Sequence, residues 1–273
     1  LIVNAEGTSN AVVSAYSKAA DTFRGLLSDL VKELPALRSP SIFNKPTKFR
    51  GEVAKRMELA TRPYLNQYQD KDYITPMVAV AGSVADQVLS AMGKNLYRAS
   101  VNNGGDIALH LGVGAYFDIG VADDRNFSLS DFAMSEIGSP TGQLPLNGRI
   151  KIRQDDKIGG VATSGWRGRS HSFGIADSVT VLAKTAADAD VAATLIANAI
   201  NVSSTAVIRQ SANLISPDSD LGDRMVTVKV GLLTNEEIDI SLANGAKLAK
   251  EIYLEGQIAG VYARLQGKSF VIS

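Results

Sequence analysis

Between Ser178 and Ile200 the chain passes from a strand into a helix with almost nothing in between. Ser178-Val179-Thr180-Val181-Leu182-Ala183 reads as a buried strand, and Ala186 to Ile200 reads as a helix. Alanine dominates the helix, and Asp188 and Asp190 fall near its start, where the helix dipole favours acids. The other elements do not alternate strictly with one another. That mixed order predicts an α+β fold in which mixed sheets are covered by helices.

The same reading extends along the chain. Residues 10 to 37 form a helix, with Val13, Tyr16, Ala20, Phe23, Leu27, Leu30 and Val31 at helical spacing and Leu34-Pro35 at its end. Glu52 to Gln67 is a second helix, interrupted near Pro63, and Asp70 to Tyr73 is a polar turn. Thr75-Pro76 opens a helix of small residues through Leu89, a composition suited to very close packing. Leu96 to Val101 and Ile107 to Leu111 are strands around a turn. Residues 121 to 150 hold a polar insertion with Pro140 and Pro145, followed by weak alternation from Lys151 to Ile158. Val161 to Gly165 ends a strand in small residues. After a polar loop, Met225 to Val230 is a strand, Asn235 to Gly256 a helix and Val261 to Leu265 a last strand. One domain over 1–273 is expected, with an N-terminal helical part at 1–70 and a core at 75–267.

Composition removes several classes of function. Lys plus Arg and Asp plus Glu are 28 each, so no broad basic surface for nucleic acid or anionic lipid is expected. Cysteine is absent, which excludes disulfides, thiolate metal sites and cysteine nucleophiles. His110 and His171 are too few for a histidine cage. No apolar run reaches the length of a membrane span, and a cytoplasmic location is expected.

Four segments could carry chemistry. Asn102-Asn103-Gly104-Gly105-Asp106 offers amides, a carboxylate and two glycines that let backbone approach a ligand; a hairpin turn explains the same residues. Gly159 to Gly174 crowds Thr163, Ser164, Gly165, Arg167, Arg169 and His171 together. Arginine forks and loop amides suit phosphate, and His171 could act as a base. The segment is neither a Walker loop nor a nucleophile elbow, and an exposed loop is the plain alternative. Asp190 and Thr194 lie four apart on one helix face and could hold Mg²⁺, although dipole compensation alone accounts for such an acid. Asp218, Asp220 and Asp223 lack the spacing of a calcium loop and read as a solvated turn.

In their order, these blocks resemble the ApbE superfamily, and most closely an uncharacterised family of ApbE-related bacterial and archaeal proteins. The resemblance rests on Thr75 to Asp86, Val101 to Ile107, Gly160 to Gly174, Ala176 to Ala183, Ala189-Asp190 with Thr194, Asp218 to Asp223 and Leu265-Gln266-Gly267. ApbE proteins are flavin transferases that bind FAD with Mg²⁺ and attach FMN to a threonine of a target protein. The resemblance implies tandem sheets with the ligand in a cleft between two halves. It makes Asp190 and Thr194 metal ligands, with a backbone carbonyl near Val80 or Ala81 as the third. It matches Gly104 and Gly105 to the family's Gly-Gly turn near the flavin and Thr163, Ser164 and Gly165 to its Thr-Ser-Gly segment; Asn103 and Asp106, beside the glycines, are further candidate cofactor contacts. Ala81-Gly82 stands where the transferases have Lys-Gly, and His171 to Asp177 replaces their His-x-x-Asp-Pro-x-Thr-Gly block. His171 and Asp177 are the candidate catalytic stand-ins, and Arg167 and Arg169 the candidate phosphate contacts.

The expectation is therefore a soluble protein that binds FAD or FMN with Mg²⁺. The alternatives are FMN transfer to an acceptor protein or FAD hydrolysis, and a non-flavin accessory role in sulfur or cofactor assimilation. Helix 10–37 has enough apolar surface for a homodimer, and burial within one chain would explain it as well.

Overall fold

The computed structural model describes residues 1–42, 44–65, 74–121 and 148–273. Its fold is α+β. One continuous sheet holds seven strands in the order β1 (Ile2–Glu6), β2 (Arg98–Asn103), β3 (Asp106–Leu111), β6 (Gly160–Ser164), β7 (Ser178–Ala183), β10 (Gly260–Leu265) and β11 (Lys268–Ile272). Every ladder in it is antiparallel. Two ribbons stand apart from it, β4 (Tyr116–Val121) with β5 (Gly148–Arg153), and β8 (Val207–Ser211) with β9 (Met225–Val230). The expected insertion at 121–150 lies mostly outside the described residues, and so does the turn at 70–73.

Seven helices accompany the strands among the described residues: α1 (Ser9–Lys32), α2 (Leu34–Leu37), α3 (Glu52–Leu65), α4 (Val80–Met92), α5 (Ala186–Ala199), α6 (Ala212–Ile215) and α7 (Asn235–Leu254). A short 3-10 turn, Pro76–Ala79, leads into α4, with the Thr75 hydroxyl accepting from the Met77 N–H. Thr185 caps α5 through the Asp188 N–H, and Thr234 and Glu237 form a reciprocal capping box on α7. Pro63 lies in the last turn of α3, two residues before its end.

Alternation along the strands divides the core into two layers. On one face Ala99, Val101 and Ala108 meet Ala85, Val88 and Met92 of α4 and Ala15 and Ala19 of α1. Val179, Val181 and Ala183 of β7 pack on that side among Ala189, Ala192, Ala193 and Ile196 of α5. On the other face Leu109 and Val161 meet Ile152 of the β4–β5 ribbon.

Four strands depart from the sequence reading, β4 (Tyr116–Val121) among them. β1 and β11 close the two edges of the sheet, and β8 pairs with β9 where a polar loop is expected. β1, β8 and β11 are five residues long, and none of them buries a side chain fully. The partner of β1 lies about a hundred residues away, so no local pattern reveals it, whereas β11 folds back on β10 across the Gln266–Gly267 turn. Because β1 pairs with β2, the N-terminal part is not purely helical and its first strand belongs to the main sheet.

Candidate functional site

Small residues position the site. Ala186, the first residue of α5, is wedged between two glycines: a side chain on Gly82 would meet the Ala186 carbonyl oxygen at 2.3 Å, and one on Gly160 would meet the Ala186 nitrogen at 2.2 Å. The close packing foreseen for the 75–89 helix is this contact, which brings the start of α4 against the start of α5.

Each helix then caps the other. Asp86 of α4 accepts from the Ala186 N–H at 3.1 Å and the Ala187 N–H at 2.9 Å. Asp190 of α5 accepts from the Gly82 N–H at 3.0 Å, with the Ala81 N–H contributing as well. These donors are among those a helix leaves unsatisfied at its N-terminus. Asn103 on β2 donates to the Ala81 carbonyl at 3.1 Å, which ties the sheet to the same turn.

Above this junction lies a cleft of about 280 Å³. One wall carries Val80, Ala81, Asp106, Asp190 and Thr194; the facing loop supplies Arg169, Ser170 and His171. Ser216, Ser219, Asp220 and Leu221 close one end, and Thr75 anchors that loop by donating to Asp220 Oδ2 at 3.1 Å. Asn198 continues the α5 row begun by Asp190 and Thr194. Its Oδ1 accepts from the Ser172 hydroxyl and the Phe173 N–H, both at 3.0 Å, which holds the 171–173 loop against the helix.

The electrostatics of the cleft are those of two acids held close together. Burial drives Asp190 well above the usual carboxylate range, and the Asp106 charge pushes it further, against the Gly82 and Ala81 N–H groups. Burial also pushes Asp106 up to about 7, opposed by the Thr163 backbone N–H. Desolvated carboxylates of this kind are relieved by a proton or by a cation. The oxygens of Asp106, Asp190 and Thr194 are hard donors, few in number, and fit Mg²⁺ better than a softer metal. No cluster of three or more His, Cys, Asp or Glu exists among the described residues, so any metal here would draw its other ligands from hydroxyl, carbonyl, water or substrate oxygen.

Of the residues singled out from sequence, Val80, Asp106, Arg169, His171, Asp190 and Thr194 line the cleft. Asn103, Gly104, Gly105, Thr163, Ser164, Gly165, Arg167 and Asp177 are not among its lining residues. Gly104 and Gly105 take φ of +74° and +119°, and the Gly105 N–H donates to Asn102 Oδ1 at 2.9 Å, as in a hairpin turn. Arg169 passes over this turn, its Nη1 lying 3.5 Å from where a Gly104 side chain would begin. The Thr163 hydroxyl bonds to that of Thr180 at 3.0 Å across the sheet. Asp177 is engaged elsewhere: Arg167 Nη2 lies 3.2 Å from its Oδ1, and the Gln266 N–H donates to its Oδ2 at 2.6 Å.

Sequence reasoning passed over Asp86 and Asn198, and read the 216–223 loop as solvated although part of it forms a cleft wall. The spacing of Asn198, four residues after Thr194, is a signal that could have found it. Nothing local marks Asp86, because its partners are backbone groups of a distant helix.

No helix among the described residues is long and apolar enough to cross a membrane. The chain is similar to a UPF0280 protein of Methanopyrus kandleri, 31% identical over 186 residues, covering 68% of this chain and 65% of that protein. It is 37% identical to a UPF0280 protein of Methanococcus vannielii over 46% of this chain and 45% of the other. A third UPF0280 protein, from Methanothermobacter thermautotrophicus, is 34% identical over 48% and 44% respectively. The chain thus spans less than two thirds of the length of these relatives. The family described as AbpE bacteria matches residues 1–271, and the chain belongs to that family.

Proposed function

We propose that the protein binds a flavin dinucleotide together with Mg²⁺ in the cleft between α4, α5 and the 169–173 loop. One observation carries this reading: Asp106, Asp190 and Thr194 share a cleft with the guanidinium of Arg169, so oxygen donors for a divalent ion face a fork suited to phosphate. The resemblance to the ApbE superfamily supports FAD as the nucleotide. The Gly82 and Ala81 N–H groups hold the Asp190 carboxylate and orient it on the cleft wall, where it would bind the ion. Bound there, Mg²⁺ would neutralise the two acids and the diphosphate together. A volume of about 280 Å³ is at the lower edge of small-molecule sites, so the cleft encloses the diphosphate and leaves the rings nearer its mouth.

The test is titration of FAD and FMN into protein with and without Mg²⁺, followed by flavin fluorescence. Mg²⁺-dependent FAD binding that disappears in Asp190→Asn supports the reading. Failure of both nucleotides to bind at high micromolar concentration ends it.

His171 in the cleft favours a second, catalytic reading. There His171 would take the proton of a water or an acceptor hydroxyl as its oxygen attacks the phosphorus of the FMN moiety; the diphosphate bond breaks and AMP leaves. AMP release from FAD by the wild type, lost in His171→Ala, would support turnover. Equal background from both would leave binding alone.

A further inference from the structure

α1 carries two apolar stripes, and the described residues cover only one of them. Ala15, Ala19 and Leu26 face the core. A second row, Val13, Tyr16, Ala20, Phe23, Leu27 and Val31, advances by three, four, three, four and four residues, the spacing of a coiled-coil seam. This row faces outward: Val13 is 70% exposed, Phe23 49%, Leu27 73% and Val31 56%. Tyr16 is 41% exposed, and its hydroxyl accepts from the Ala5 N–H of β1, which ties the ring to the edge of the sheet.

We propose that this row is the contact between two copies of the chain, with their α1 helices packed antiparallel. Three features favour a second copy. A seam repeating at this interval is matched by another helix of the same period. No member of the row is charged, and Arg24, which flanks it between Ala20 and Leu27, is paired with Asp21 on its own helix, so two copies approach with little charge repulsion. The row offers on the order of 500 Å² per copy, so two copies together reach the roughly 1,000 Å² that a specific interface needs. Direction follows from side-chain size. With the two-fold axis between Asp21 and Thr22, Ala20 of one copy faces Phe23 of the other, and Tyr16 faces Leu27. In these two central layers a larger side chain meets a smaller one, and Val13 and Val31 flank them. A parallel pair would set Phe23 against Phe23 and Ala20 against Ala20, leaving crowding in one layer and a void in the next.

The full chain tests this without reference to any ligand. Sedimentation equilibrium over a wide protein concentration should give twice the 28.9 kDa of one chain. Leu27→Glu should weaken association at least tenfold while leaving the far-ultraviolet dichroism unchanged, since Leu27 makes little contact within its own chain. Phe23→Glu gives a second, independent disruption. Because the chain has no cysteine, Ala20→Cys and Phe23→Cys can each be introduced as a single thiol on differently tagged copies. Oxidation of the mixture should join unlike copies in preference to like ones. A wild type that stays monomeric throughout, a dimer indifferent to both glutamate variants, or cross-linking mainly of like copies would each overturn the proposal.

Discussion

Asp190 and Asp86 are exchanged between two helices. Asp190 leaves α5 to accept the Gly82 N–H of α4, and Asp86 leaves α4 to accept the Ala186 and Ala187 N–H groups of α5. The exchange holds the two helix starts together and sets the Asp190 carboxylate on the wall of the cleft. The proposed site therefore depends on the packing of α4 against α5 as much as on its own side chains.

Gly82→Ala should break this arrangement. Its new methyl group would overlap the Ala186 carbonyl oxygen at 2.3 Å, with backbone on both sides and no flexible side chain to give way. We expect a loss of about 1–3 kcal/mol, the usual cost of overpacking, and a lower Tm by calorimetry. Mg²⁺-dependent FAD binding should fall with it, because Asp190 loses its orienting donor.

Asp86 should leave a signature in the pH dependence of stability. Burial pushes it up to about 6 from an ordinary 3.8, although the Ala187 and Ala186 N–H groups pull it down. Over that interval the folded protein keeps a proton that the unfolded chain has released. Stability therefore falls as pH rises from about 4 to about 6, and Asp86 adds no further slope above it. Asp106 and Asp190, also raised, act in the same direction. Urea unfolding of Asp86→Asn at several pH values should show a shallower slope between 4 and 6. It should also show a loss of about 1–3 kcal/mol near neutrality, since an amide cannot accept both N–H groups equally well.

Arg169→Ala should separate the proposed phosphate contact from folding. Arg169 is exposed and lines the cleft. Its removal should weaken FAD roughly tenfold, consistent with about 1.5 kcal/mol for a charge-assisted bond, and leave Tm within a degree or two. Calorimetric titration alongside a melting curve distinguishes this outcome from a general loss of structure.

Asp177→Ala should do the opposite. It would leave Arg167 without its partner and the Gln266 N–H without its acceptor, costing about 1–3 kcal/mol. FAD affinity should be unchanged, since Asp177 does not line the cleft. Retained Tm with lost affinity would return Asp177 to the site.

Much of the fold is legible locally. The β7 strand and the alanine-rich α5 announce themselves by composition, and α7 by its apolar face. The order of elements predicts α+β without help from tertiary contacts. On α5, the spacing of Asp190 and Thr194 is a helical periodicity and survives into the structure as one cleft wall. What periodicity cannot express is which distant groups meet. β1 exists because β2 offers it hydrogen bonds, and Asp86 matters because a helix it never neighbours in sequence begins beside it. Asp177 and Arg167 sit in a segment whose residue types suit phosphate, yet they turn toward each other and the Gln266 turn, while Arg169 and His171 two residues apart face the cleft. Local chemistry nominated the residues; the crossing of α4 and α5 over the sheet selected among them, because burial and direction are properties of packed surfaces.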